Sequence, residues 1–488
     1  MEFSSKKKSE NYSAHIMICI FDLVTTKNYF KVVKSRITKF KISKLFGYQD
    51  VEINFDDRFK ILVGENGLGK TTILNALYFL LDRKFKKLNS LRFESIELFF
   101  SNKNKIFFTK EDLNFFVDKP NKQESSFYHI LKNKTTQSEV DNFKKIITNK
   151  KMSDLEKRLE MSNILKEINL KINAPSHFIY DNVVKFVKEF EATNFQNVID
   201  VLEKNISSKI LYFPTYRRIE SHLEKLTERK IKNYQQNIFW EDDDDSSDLS
   251  KYDDNLNFGM EDVRKRIEYL TEEIRDKTLV GFSNITGDLL SQLSNEFKNY
   301  KLKNKVDSKK LQIILDRVGN SISEKDKELI KEYISSGHKD NKGLLFLIDR
   351  LIDLYNEQEK LDLSIKNFAE TCNNYLNLKQ FRYDESSVSL DIFRNNTTDI
   401  IELEQLSSGE KQIVSLFSKI YLEVDESFII LFDEPELSLS IFWQQKLLPD
   451  ILKSKKCNFL LTVTHSPFIY DNFMKDYAFG LTDYISFN

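Results

Sequence analysis

The stretch Gly64-Glu65-Asn66-Gly67-Leu68-Gly69-Lys70-Thr71-Thr72 constrains the fold more than anything else in this chain. It fits the pattern G-x-x-x-x-G-K-[ST], with Gly64, Gly69, Lys70 and Thr71 at the fixed positions. Its flanks fit too. Phe59–Val63 is an apolar run of strand length, and Ile73, Leu74, Leu77, Tyr78 and Leu81 recur at helical spacing. A strand feeding a glycine turn that opens a helix is what a phosphate cradle requires, because backbone N–H groups then converge on the anion at the positive end of the helix dipole. Lys70 is expected to reach the β- and γ-phosphates, and the Thr71 hydroxyl to bind magnesium. Glycine is scarce elsewhere. The chain of 488 residues holds 12, about a third of the usual ~7%, and three of them fall within Gly64–Gly69.

The later part of the chain supplies acids in the right setting. Phe428–Phe432 is a fully apolar strand that delivers Asp433-Glu434-Pro435 at its end. One carboxylate there can hold magnesium and the next can orient or deprotonate an attacking water; two adjacent acids at a buried strand's end are costly without a cation or substrate. Phe459–Thr464 is a second buried strand, followed by His465-Ser466-Pro467. The interval from Asp433 leaves room for one crossover helix, near Phe442–Lys453, between parallel strands. A lone histidine at a strand end is usually structural; in this order of motifs His465 is expected instead to be a γ-phosphate sensor.

The order GENGLGKTT, LSSGEKQ (Leu406–Gln412), ILFDEPELSLS and TVTHSPF resembles the SMC-like and OLD-like branch of the ABC ATPases. More narrowly, it is similar to the stand-alone ATPase subunits of bacterial antiphage systems: Septu (PtuA-like), retron-associated and PARIS (AriA-like). The match covers about Ile37–Leu81 and Leu403–Asn472, and is suggested by ILYFPTYRRIE (Ile210–Glu220) and FGMEDVRKRI (Phe258–Ile267). The resemblance implies an α/β fold: an ABC-type P-loop ATPase head, a mixed sheet with flanking helices, with a large helical insertion between the Walker A and signature motifs. It makes Glu65, Asn66, Gly67, Leu68, Gly69, Lys70, Thr71 and Thr72 the ATP-binding loop, Thr71 and Asp433 the Mg2+ ligands, and Lys70, Glu434 and His465 the catalytic residues. Ser407, Ser408, Gly409 and Glu410 would face the γ-phosphate held by an opposite subunit. A serine hydroxyl and backbone amides opening a helix over Gln412–Tyr421 favour such an anion. Ser408 and Glu410 stand where transporter signatures carry glycine and glutamine, and Ser440 where many relatives carry histidine. Arg217 and Arg218 either sense phosphate or cap a solvated loop.

Composition sets limits. Lys+Arg of 74 against Asp+Glu of 75 gives a net charge of −1, so the chain as a whole is no polyanion binder by charge; the lysines among Lys301–Lys310 read as a solvated helix face. Cys19, Cys372 and Cys457 lack metal spacing and form no disulfide framework, which fits a reducing compartment. The apolar run Ile16–Val24 is broken by Asp22 and is too short to span a membrane or to read as an export signal. The expected location is the cytoplasm, away from any membrane.

Seven segments follow: an N-terminal extension (1–30), the first half of the ATPase head (31–110), a helical lid or insert with a break near Pro175 (111–209), a return strand and loop (210–240), a disordered acidic loop (241–257), a helical arm (258–380) and the second half of the head (381–488). Hairpins are expected at Ile37–Phe55 and at Phe93–Thr109. Leu344, Ile348, Leu351 and Tyr355 step at helical spacing, and the stripe fades at Gln358 and Asp362; this reads as a short helical arm or compact helical domain rather than a long coiled coil. Too little chain follows His465 for a TOPRIM nuclease, and no nuclease motif or nucleophile elbow stands elsewhere, so no nuclease activity is expected. The resemblance implies an ATPase that forms a head-to-tail homodimer or higher homo-oligomer. It also implies a partner effector, an HNH nuclease or other toxin, or a retron reverse transcriptase with its msDNA. The alternative is an SMC-like DNA-repair or recombination ATPase that clamps DNA, which keeps nucleic acid among the partners.

Overall fold

The computed structural model describes residues 36–117, 131, 136–149, 152–167, 176–214, 259–293, 300, 306–319, 322–336 and 340–487. The N-terminal extension with its apolar run and Cys19, the break at Pro175, Arg217 and Arg218, the acidic loop 241–257, and residues 301–305 lie outside these. In chain order the elements begin β1 (Ile37–Leu45), β2 (Gln49–Asn54), β3 (Phe59–Val63), α1 (Lys70–Leu81), α2 (Phe85–Asn89), β4 (Ser95–Phe100), β5 (Lys105–Thr109) and α3 (Lys110–Val117). Next come α4 (Gln137–Thr148), α5 (Asp154–Glu167), α6 (Ser176–Asn205), β6 (Lys209–Phe213), α7 (Met260–Leu293), α8 (Ser308–Arg317), α9 (Glu324–Ser335) and α10 (Lys342–Asn373). The order closes with β7 (Lys379–Asp384), β8 (Ser389–Arg394), α11 (Ser408–Leu422), β9 (Phe428–Asp433), α12 (Ile441–Lys453), β10 (Cys457–Thr464), β11 (Ala478–Gly480) and β12 (Ile485–Phe487).

The chain divides into two compact units. The first comprises Met1–Thr215, Ile429–Pro435 and Asn458–Asn488; the second comprises Tyr216–Phe428 and Glu436–Cys457. The first unit holds two five-stranded sheets, ordered β12-β2-β1-β4-β5 and β11-β3-β10-β9-β6. The pairs of the former are antiparallel, and its strands alternate as a half-buried sheet must, β4 reading half-buried, buried in strict turn. In the other sheet β3 pairs in parallel with β10 and β11. Every residue of β9 is buried, which is why it reads as an unbroken apolar run. One core joins the sheets through α1: Ile42 and Leu98 from the first, Leu74 and Leu77 from the helix, Leu431 and Leu461 from the second. A separate small core of Phe143, Met161, Val183 and Phe186 ties α4, α5 and α6 together.

In the second unit, α7, α8 and α10 pack around Ile285, Ile314, Ile348, Leu351 and Tyr355, and β7 and β8 form an antiparallel pair. The apolar stripe of α10 does not end where its hydrophobicity does. Gln358 and Asp362 continue it as fully buried positions, because polar partners await them. Arg317 Nη2 donates to Asp362 Oδ1 at 2.7 Å and Nη1 to Gln358 Oε1 at 2.5 Å, while the Tyr383 and Thr278 hydroxyls donate to Asp362 and Gln358. Arg317 and Asp362 are each 1% exposed. Removing one member of so buried a pair strands the other charge, so Arg317→Met is expected to destabilise this unit by about 3–5 kcal/mol. Urea unfolding followed by circular dichroism measures this directly.

No helix among the described residues is long and apolar enough to cross a membrane.

Candidate nucleotide-binding site

In the first unit the chain leaves β3 at Val63 and turns through Gly64–Gly69 into α1. Gly69 adopts φ 80° and ψ 17° at the N-cap, and no side chain caps the helix. That conformation favours glycine, and an added Cβ would also lie 3.0 Å from Phe46 Cε2. The leading N–H groups of α1 thus have no side-chain acceptor and can serve an anion. Glu65, Asn66 and Gly67 are exposed on the rim, while Leu68 and Thr72 are half-buried.

Lys70 is 5% exposed. Its Nζ donates to Gly64 O at 2.7 Å, Glu65 O at 3.0 Å and Asn66 Oδ1 at 3.4 Å, and stands 3.9 Å from Glu434 Oε1. The lysine folds back on its own loop, held by oxygens that a triphosphate's oxygens can replace. Beside it, the Thr71 hydroxyl donates to Asp433, 3.0 Å from each carboxylate oxygen. Asp433 ends β9 and is 1% exposed. Glu434 comes next, at φ 50°, a conformation that costs an L residue on the order of 1 kcal/mol. Its N–H donates to Val463 O at 2.9 Å, which fixes the turn against β10. His465 follows β10, with Nδ1 3.7 Å from Glu434 Oε1 and the ring 48% exposed. Because Thr464 pairs with Val63 in parallel register, and Gly64 N–H donates to Thr464 O at 3.3 Å, the histidine comes to the start of the loop.

The structure therefore brings Lys70, Thr71, Asp433, Glu434 and His465 into one place. Among the described residues no group of three or more His, Cys, Asp or Glu side chains could hold a metal by itself. The Thr71 hydroxyl and Asp433 carboxylate offer two hard oxygen donors. That is the set magnesium accepts when phosphate oxygens and waters complete its octahedron.

Ser407–Glu410 belong to the second unit. The helix expected over Gln412–Tyr421 begins earlier, at Ser408. Ser407 is its N-cap: its hydroxyl accepts from Glu410 N–H at 3.4 Å, and its own N–H donates to Glu410 Oε2 at 2.8 Å, a capping box. Lys379 Nζ donates to the same carboxylate oxygen at 2.8 Å. Burial by itself would raise the Glu410 carboxyl, but these hydrogen bonds outweigh it and hold its pKa below the ordinary 4.5. The stability this contributes is full above 4.5 and is lost as pH falls through the lower folded value. Glu410→Gln is expected to flatten that acid limb, seen as urea midpoints that change less between about pH 3 and 6. Gly409 is required by close approach, since a Cβ there would lie 2.8 Å from Ser438 O and 3.0 Å from Trp443 Cζ3. Against backbone there is little room to yield.

Sequence patterns did not point to Gln49. It is almost wholly buried in β2, and its Nε2 donates to Leu68 O at 3.3 Å. A glutamine at an inward position of an alternating strand was the available signal.

The model of the AAA ATPase domain family matches residues 36–470. The chain belongs to that family. Among solved structures, the ATPase chain is similar to the SmcHead bound to the C-winged helix domain of ScpA, at 12% identity over 89% of this chain and 90% of that one, with a TM-score of 0.30. It is likewise similar to the Smc head domain with an extended coiled coil bound to the C-terminal domain of ScpA derived from Pyrococcus furiosus, at 13% identity over 89% and 90%, with a TM-score of 0.29. None of the curated proteins compared matches the chain.

Proposed function

We propose that this chain is an ABC-type ATPase subunit that binds ATP with Mg2+ and hydrolyses it to ADP and phosphate. The observation that carries the reading is the convergence of Lys70, Thr71, Asp433, Glu434 and His465 at one glycine loop. Glu65–Thr72 would form the cradle; Lys70 would exchange its loop carbonyls for β- and γ-phosphate oxygens; Thr71 and Asp433 would hold the cation, which would neutralise charge on the phosphates. Glu434 takes the proton of the attacking water, and His465 steadies the γ-phosphate beside it. Phosphoryl transfer of this kind is mostly positioning and charge stabilisation.

The same reading makes the site half of a pair. Ser407, Ser408, Gly409 and Glu410 would complete the site of an opposite copy, so that turnover depends on head-to-tail assembly. The helices α3–α6 and α7–α10 would act as inserts between the two halves of the head, carrying the nucleotide state to a partner that prefers one state. In the cytoplasm such a device suits a sensor and scaffold that restrains a nuclease or toxin and releases it on phage infection; the support for this role is the resemblance to the ATPase subunits of antiphage systems, since the motifs themselves are shared across the superfamily. Purified protein should release phosphate from ATP in a Mg2+-dependent manner and co-purify with the product of a neighbouring effector gene. Absence of turnover with Mg2+ would remove the enzymatic reading. Turnover stimulated by duplex DNA with a steep salt dependence would replace the effector scaffold by a DNA clamp.

A further inference from the structure

The phosphate loop is held from outside by a segment that contributes nothing to the chemistry. In β11, Phe479 pairs with Leu62 and Gly480 with Val63; in β12, Phe487 pairs with Gln49. One short stretch thus lines the edges of both sheets. Between the two strands lies Leu481, fully buried, against the first residue of the loop: a Cβ on Gly64 would sit 3.2 Å from Leu481 Cβ. At the loop's other end is Gln49, whose amide donates to Leu68 O at 3.3 Å. The segment that seats Leu481 therefore also pairs with the strand that carries Gln49.

Lys60, on β3, fastens this segment. Its side chain is only 2% exposed. Nζ donates to Asn54 O and, at 2.8 Å, to Tyr484 Oη, and it lies 4.4 Å from the ring centroid of Phe479 and 4.5 Å from that of Tyr484. An ammonium so withdrawn from water is tolerable only with acceptors and aromatic faces around it, so the cage and the lysine hold each other in place.

We propose that Ala478–Phe487, locked by Lys60, positions the phosphate loop, with Leu481 and Gln49 as positioning residues that set nucleotide affinity rather than the rate of the chemical step. The inference rests on Gly64–Thr72 being the nucleotide loop. A loop whose two ends are braced loses less conformational freedom when the triphosphate arrives. The backbone N–H groups of α1 then lie ready for it.

The test uses the full chain. Affinity for a fluorescent ATP analogue, KM and kcat, and Tm are measured for Leu481→Ala, Gln49→Leu and Lys60→Met. Leu98→Ala, in the core of β4, serves as a control for lost stability. The three variants should raise Kd and KM together, by about tenfold, with kcat at saturation within about twofold of wild type. Leu481→Met should restore affinity, and Leu98→Ala should lower Tm without moving Kd. Unchanged Kd for Leu481→Ala and Gln49→Leu, each measured well below its own Tm, would overturn the inference while leaving the nucleotide site intact. Failure of wild type itself to bind the analogue would overturn both. Gln49→Leu keeps the test decisive if Leu481→Ala does not fold.

Discussion

Glu434→Gln is expected to slow ATP turnover by roughly 100- to 1,000-fold while leaving ATP binding intact, the loss usual for a general base. The substitution keeps the volume of the side chain and its place beside His465 Nδ1, 3.7 Å away, but removes the group that can take a proton from water. The backbone demand at φ 50° is the same for both residues, so the turn after β9 should survive. Because the nucleotide would persist, the variant should accumulate as an ATP-bound dimer on a sizing column. Phosphate release at the wild-type rate would take Glu434 out of the catalytic role, and a monomer profile with ATP would count against assembly through the nucleotide.

Lys70→Met has the second largest expected effect. The ammonium donates three hydrogen bonds to the loop itself, two of them to main-chain carbonyls. On the proposed function those bonds would be exchanged for charge-assisted ones to phosphate, each worth about 1.5–3 kcal/mol. Losing them should weaken ATP binding by roughly 100-fold or more. Any protection against phage should be lost with it. Isothermal titration with ATP and Mg2+ measures the first effect; undiminished affinity would show that the loop recognises nucleotide without its lysine.

Much of the site was legible because local signals agree. The apolar strand Phe59–Val63, three glycines within Gly64–Gly69 and the periodic helix behind them all point to one turn. Asp433 and Glu434 were legible as acids delivered by an unbroken apolar strand. What pairs them with Thr71 and His465 is parallel strand register, such as Thr464 opposite Val63, and register between distant strands leaves no periodic mark. Polar residues at apolar positions misled most. Gln358 and Asp362 read as the end of the α10 stripe, yet they carry it on, because their partners Arg317 and Tyr383 come from elsewhere in the chain. Gln49 is another such residue, buried in β2 with its partner Leu68 beyond it in the loop. The division into units was hidden as well. The chain enters the first unit for Ile429–Pro435, leaves it, and returns at Asn458; the boundaries at Ile429 and Asn458 fall inside the strands β9 and β10, where no linker composition marks them. Strands as short as β11 and β12 exist only through pairing with β3 and β2.

Mixing two inactive variants tests most directly whether each nucleotide is enclosed by two copies of the chain. Lys70→Ala lacks the lysine but keeps Ser407; Ser407→Arg lacks the N-cap hydroxyl proposed to face the opposite site but keeps Lys70. If the sites form between copies, each variant alone is dead and the mixture regains activity through hybrid dimers with one complete site, on the order of a quarter of the wild-type rate at equal proportions. A mixture as inactive as its components, or a Ser407→Arg protein that turns over ATP by itself, would contradict the account.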